Sequence, residues 1–162
     1  MPTLRERLDG DMKDAMRARD TVRLGTIRMI RAALTERDKA GAGETTDSDV
    51  LAVVTKQAKQ RRDSIAQFEA AGREDLAAAE RAELAVVEGY LPAQATDAEI
   101  AAVVAGVVAE TGAATMKDMG RVMGAAIKRL GGTADGSRVQ AAVRQALGAG
   151  GAAGEAAGGA GA

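Results

Sequence analysis

Between residues 116 and 139 the chain reads MKDMGRVMGAAIKRLGGTADGSRV. Lys117, Arg121, Lys128, Arg129 and Arg138 are donors suited to oxyanions, and to phosphate above all. Lysine acts there as a point charge and arginine as a planar fork. Gly120 and Gly124 stand among them, four apart, in a segment with helical periodicity. A glycine inside a helix costs about 1 kcal/mol relative to alanine, and this chain is rich in alanine. Two glycines at i and i+4 leave a flat strip where a second backbone can come close. That backbone is a neighbouring helix, the preferred reading, or the sugar-phosphate chain of an RNA flanked by the cations. The plain alternative for the cations is a solvated basic face. Met116, Met119 and Met123 read as flexible fillers between helices, with an adaptable partner-binding groove as the sharper alternative.

Other chemistries find little support. The chain has no His and no Cys. The commonest general base, the commonest metal ligand, thiolates and disulfides are therefore all missing. No metal site and no cofactor is expected. GGTADGS is Gly-rich, but it lacks the G-x-x-x-x-G-K pattern and the preceding strand of a phosphate loop. It reads as a helix stop followed by a turn in which Gly136 takes a positive φ. An acid/base site would have to be a carboxylate or lysine pair assembled by the fold, and no catalytic constellation stands out. With one Phe, one Tyr and no Trp, base stacking cannot be the main mode of any nucleic-acid contact.

The elements that must position these residues are helices throughout, since apolar residues recur at helical spacing. Thr3 and Glu6 form a capping box that opens a first helix carrying Leu4, Leu8, Met12 and Met16. Asp20 caps a second, with Leu24, Ile27, Ile30 and Leu34 inward. Residues 40–46 form a loop. A third helix carries Val50, Val54, Ala58, Ile65 and Phe68, with Phe68 in the core and Arg61 interrupting the stripe. Gly72 marks a break, and a fourth helix carries Leu76, Leu84, Val87 and Leu91. Tyr90 is expected to pack its ring and send its hydroxyl to a backbone group or water.

Pro92 ends that helix, because proline donates no N–H and disfavours helix before it. It serves as a hinge. Thr96 and Glu99 then start a helix with Ile100, Val103, Val104, Val107 and Val108 inward, stopped by Gly112. A sixth helix carries Met119, Val122, Met123, Ile127 and Leu130, and a last one Val139, Val143 and Leu147. The organisation expected is all-α: an N-terminal part of about four helices over 1–91, a hinge at 92–96, a three-helix domain over 97–147 and an unordered Gly/Ala tail at 148–162. The longest uncharged apolar run, Ile100–Ala109, has ten residues, short of the roughly 20 that span a bilayer. The N-terminus shows no signal-peptide pattern. A cytoplasmic protein without membrane contact is the expectation.

Charge is balanced overall, with 22 basic and 23 acidic residues, but unevenly spread. Residues 116–147 hold six cations against two anions, and residues 15–35 hold five against one. Residues 69–90 go the other way, six anions against two cations.

Four stretches together resemble the GatB/YqeY family: MKDMGRVMGAAIKRLGGTADGSRV, the hinge YLPAQATDAEI at 90–100, KQRRDSIAQF at 59–68 and TVRLGTIRMIRAAL at 21–34. The likeness covers residues 3–147 and is nearest to the free-standing YqeY-like proteins. It implies an all-helical fold with a smaller C-terminal domain. The same module forms the tail of the B subunit of the tRNA-dependent amidotransferase, where it is associated with recognition of the tRNA body. The resemblance therefore implies a tRNA-binding accessory module related to a carbon–nitrogen ligase that uses glutamine as amido donor. Lys117, Met119-Gly120, Arg121 and Asp135-Gly136 occupy the family's signature positions, and no catalytic residue is carried over. A second reading is a protein adaptor for an amidotransferase subunit or an aminoacyl-tRNA synthetase, using the acidic run at 69–90 and the Met/Gly face. A third is an enzymatic role within an amidotransferase.

Overall fold

The structure is a computed structural model that describes residues 1–41 and 43–156, with side chains described as far as Gly148. Among the described residues the chain forms seven α-helices, one short 3-10 turn and no strand. They are α1 (Leu4–Ala18), α2 (Thr21–Lys39), α3 (Asp47–Ala70), α4 (Glu74–Glu88), α5 (Asp97–Thr111), the 3-10 turn Met116–Asp118, α6 (Met119–Leu130) and α7 (Gly136–Ala156). The all-α expectation holds. α7 carries helical backbone to Ala156. Of the tail expected to be unordered, residues 148–156 form the end of α7, while residues 157–162, and the side chains beyond Gly148, lie outside the described residues. Contacts divide the chain into one unit over Met1–Pro92 and a second from Ala93 onward.

In the first unit, capping boxes at Thr3/Glu6 and Thr46/Asp49 open α1 and α3, and Asp20 caps α2. The Thr46/Asp49 box lies at the edge of the expected loop. Gly72, at φ 69°, supplies the left-handed turn between α3 and α4. The core gathers Leu8, Ile27, Ile30, Leu34, Val50, Val54, Ala58, Val87 and Tyr90. Three expected positions differ. Met16 is exposed, and Ala15 is buried in its place. Residues four apart advance by about 40° around a helix, so the stripe Leu4-Leu8-Met12-Met16 rotates off the core by its end. Phe68 is only half-buried. The Tyr90 hydroxyl goes to the Asp11 carboxylate rather than to backbone or water.

The segregated charges of this unit pair with one another. Arg17, Arg23 and Arg31 from the basic stretch meet Asp14, Asp11 and Asp9 of α1. All six carboxylates of residues 69–90 have an arginine partner: Glu80 and Glu83 with Arg61, Glu88 with Arg62, Glu69 and Glu74 with Arg81, and Asp75 with Arg73. The acidic run is thus largely consumed in joining α3 to α4.

In the second unit, α5 opens on the Thr96/Glu99 capping box and stops at Gly112, φ 67°. The core is Ile100, Val104, Val107, Ala113, Val122, Ala126, Leu130, Val139, Val143 and Leu147. Gly131 and Gly132, at φ 56° and 83°, end α6. Gly136 does not take the expected positive φ; it is the first residue of α7, and Asp135 Oδ1 accepts from the Arg138 backbone N–H at 3.0 Å. No single helix among the described residues is long and apolar enough to cross a membrane.

Candidate functional site

The approach to α6 is set by Asp118. Its Oδ2 accepts from the backbone N–H groups of Ala114 at 3.0 Å and Thr115 at 3.3 Å, and its Oδ1 from Arg121 Nη2 at 3.0 Å. The two backbone amides, with a smaller contribution from Arg121, hold this carboxyl below its ordinary value. The turn they close places Met116 and Lys117 on the exposed lip of the helix.

The five predicted cations divide into two groups. Arg129 pairs with Glu110 of α5, which lowers the Glu110 carboxyl. Arg138 donates to Asp97 Oδ1 at 2.7 Å and to the Ala95 carbonyl at 2.9 Å, fastening the start of α7 to the start of α5. Both have a carboxylate partner within the unit, although the Arg129–Glu110 pair is itself exposed. Lys117 and Lys128 are exposed, and neither makes a hydrogen bond or ion pair among the described residues. Arg121 lies between the groups, since its pair with Asp118 is exposed at 56% of the arginine side chain. Arg121, Gly124 and Lys128 follow at steps of three and four, so they share one side of α6, and Lys117 precedes them in the 3-10 turn.

Gly120 and Gly124 correct the preferred expectation. Among the described residues a Cβ built on either meets no heavy atom within 4 Å. The strip is open. Two large apolar side chains stand beside it, Met116 at 48% and Ile127 at 45% exposure, whereas Ile127 was expected inward and Met116 as a filler. Met119 and Met123 do pack partly against the core. The charge of this unit also needs restating. Over 93–147, Asp97, Glu99 and Glu110 join the two acids counted before, so six cations face five anions. The unit has a local basic side without a large net charge. Arg144 is a further exposed cation, with no hydrogen bond or ion pair among the described residues. Its signal was legible, because no acid stands three or four residues from it on either side.

An all-helical chain of two units, the second presenting an open glycine strip, matches one family along almost its whole length. Residues 5–147 fit the family model described as "Yqey-like protein", and the chain belongs to that family. A protein of Pyrenophora tritici-repentis named "Altered inheritance of mitochondria protein 41, mitochondrial" is 42% identical over 84 residues, 52% of this chain and 46% of that protein. A Saccharomyces cerevisiae protein of the same name is 34% identical over 85 residues, with the same shares. An uncharacterized protein of Schizosaccharomyces pombe is 30% identical over 97 residues, 60% of this chain and 79% of that protein. The matched stretch spans just under half the length of the two mitochondrial relatives.

Proposed function

We propose that this chain is an accessory module that binds the body of a folded RNA, tRNA in the first instance, through the open side of α6. The observation that carries the reading is the combination of Lys117 and Lys128, without hydrogen-bond or ion-pair partners among the described residues, with a glycine strip that the described residues of its own unit leave open. Free lysines cost no ion pair to redirect onto phosphate. An uncovered strip lets a sugar-phosphate backbone approach the helix. The resemblance to the amidotransferase tail points the same way. Arg121 is the third donor, reached by releasing an exposed pair. Arg138 supports the surface from within the fold, and Arg129 is a further donor whose pair with Glu110 is likewise exposed. Names of two relatives include "mitochondrial", which favours that compartment over the cytoplasm; imaging of the tagged chain decides between them.

The test is retention of labelled tRNA across a salt series, with duplex DNA of equal charge as competitor. Two or three phosphate contacts give a log–log salt slope of about −2 to −3. Lys117→Ala with Lys128→Ala is expected to weaken binding about tenfold or more and to flatten the slope by about 2. Equal competition by DNA, or an unaffected double variant, overturns the reading. Met116 and Ile127 favour a second reading, a protein partner such as an amidotransferase subunit or an aminoacyl-tRNA synthetase docking on the same face. Capture of such a subunit that survives nuclease and is lost in Ile127→Asp distinguishes it.

A further inference from the structure

Asp11 of α1 stands between two arginines. Its Oδ1 accepts from Arg23 Nη2 of α2 at 3.0 Å, and its Oδ2 accepts from the Tyr90 hydroxyl at 2.6 Å. Arg7 Nε comes within 3.8 Å of the same Oδ2, too far for a hydrogen bond. Arg7 is fixed by other means. Its Nη2 donates to the Gly89 carbonyl at 2.8 Å, and its guanidinium carbon lies 4.9 Å from the centre of the Tyr90 ring. Neither contact neutralises its charge. A guanidinium held by a neutral carbonyl and an aromatic ring is pre-organised for an anion.

Arg7, Asp11, Arg23 and Tyr90 line one pocket of about 190 Å³, with the end of α4 as its remaining wall. The side-chain hydrogen-bonding capacity left there is of one kind. Both Asp11 oxygens already accept a bond. The Tyr90 hydroxyl has given its proton to Asp11, and the residue is buried. Arg23 Nε and Nη1, by contrast, make no hydrogen bond among the described residues and are not buried. Arg7 Nη1 makes none either, and that side chain is half exposed. The lining is otherwise apolar side chains and a glycine. The RNA reading gives none of these residues a task.

Charge agrees with the donor excess. Two cations share one carboxylate, so the lining holds one positive charge in excess. Glu88, the acid at the end of α4, is paired with Arg62. Size narrows the class further. Sites for drug-sized ligands begin near about 300 Å³, so this pocket suits one head group rather than a whole cofactor. We propose that it binds a small oxyanion, a carboxylate or a phosphate group, which accepts from the unused donors of Arg7 and Arg23. Asp11 is the one repulsive neighbour in the lining, and Arg23 offsets it. The bound anion joins α1 to α2 beside Tyr90, so it stabilises the first unit by mass action.

The experiment is a ¹H–¹⁵N NMR titration of the full chain that includes the arginine Nε–H signals. The probes are inorganic phosphate and acetate. Chloride at matched ionic strength and neutral acetamide serve as controls. Saturable shifts of the Arg7 and Arg23 Nε–H signals with the oxyanions, and none with the controls, are expected. Tighter binding of phosphate identifies a phosphoryl group as the source, and tighter binding of acetate a carboxylate. The amides of Lys117 and Lys128, read in the same spectra, report any anion on α6 separately. Arg7→Gln, on a half-exposed residue, should weaken the oxyanion about tenfold, as loss of a charged hydrogen bond does. Arg23→Gln also breaks the pair with Asp11, so the Arg7 variant carries the test. Equal shifts with chloride, an unaffected Arg7→Gln, or no saturable shift at Arg7 and Arg23 overturns the proposal.

Discussion

Tyr90 donates its hydroxyl to Asp11 Oδ2 at 2.6 Å across 79 residues of sequence. The Arg7 guanidinium stands 4.9 Å from the centre of the Tyr90 ring, and Asp11 also holds Arg23 of α2 at 3.0 Å. One carboxylate therefore ties α1 and α2 to Tyr90, two residues past the end of α4. Burial, then the Asp11 hydrogen bond and charge, raise the phenol above its ordinary 10.0. A raised value stabilises the neutral, folded form. That contribution is fully present below the unfolded value and is lost as pH rises toward the folded one.

Tyr90→Phe is accordingly expected to cost about 1–2 kcal/mol at neutral pH. It should also lose the part of the alkaline destabilisation that sets in above about pH 10. Urea melts of both proteins between neutral and alkaline pH check both effects. A variant as stable as the parent at neutral pH would remove the bond from the account.

Arg61 permits a sharper comparison. Arg61→Ala leaves two glutamates facing each other without their cation. Breaking a fully buried pair costs about 3–5 kcal/mol. Glu80 and Glu83 remain 25% and 36% exposed, so about 2–3 kcal/mol is expected here. Arg61→Met combined with Glu80→Gln and Glu83→Gln should recover most of the loss. Chemical denaturation of the three proteins measures it, and a triple variant no better than Arg61→Ala would show that packing, not charge, is lost.

The glycine strip predicts opposite signs for stability and binding. Nothing stands within 4 Å of a Cβ at Gly120 or Gly124, so alanine at either should stabilise α6 by about 0.5–1 kcal/mol. The double variant should melt higher and bind tRNA more weakly, because the methyl groups hold a backbone away. A lower melting temperature would mean that the strip is covered in solution.

Asp118 predicts an acid effect local to the second unit. Its carboxyl is held below the ordinary 3.8, so its contribution is present above that value and is lost as pH falls through the folded one. Asp118→Asn should be less stable at neutral pH and show a shallower decline on acidification. Amide exchange at Val122, followed from neutral to acid pH, reports it.

The fold was legible where local chemistry decides it. Thr3, Thr96, Asp20, Gly72 and Gly112 act through neighbours three or four residues away, and each sits where its residue type and spacing indicate. Met16 and Ile127 were misread for a common reason. Steps of four drift around a helix, and only the other helices fix which part of the drift faces inward. The Lys117–Lys128 surface was half legible. Both lysines lack an acid at helical spacing, whereas the tertiary pairs Arg129–Glu110 and Arg138–Asp97 leave no local trace. The ion pairs of Arg61 with Glu80 and Glu83 were hidden because they exist only once α3 and α4 have met. Arg61 had shown itself only as a break in a stripe.

The arginine–carboxylate pairing between α3 and α4 has a kinetic consequence. Arg61 meets Glu80 and Glu83 at separations of 19 and 22 residues, Arg62 meets Glu88 at 26, and Arg81 meets Glu69 at 12. Such short loops close at small entropic cost, and contacts local in sequence form fast. Opposite charges on the two arms also set the register in which they meet. The α3–α4 hairpin is thus the natural seed of the first unit. Its assembly slows as salt rises, while α1, which must return to Tyr90 across most of the unit, docks later.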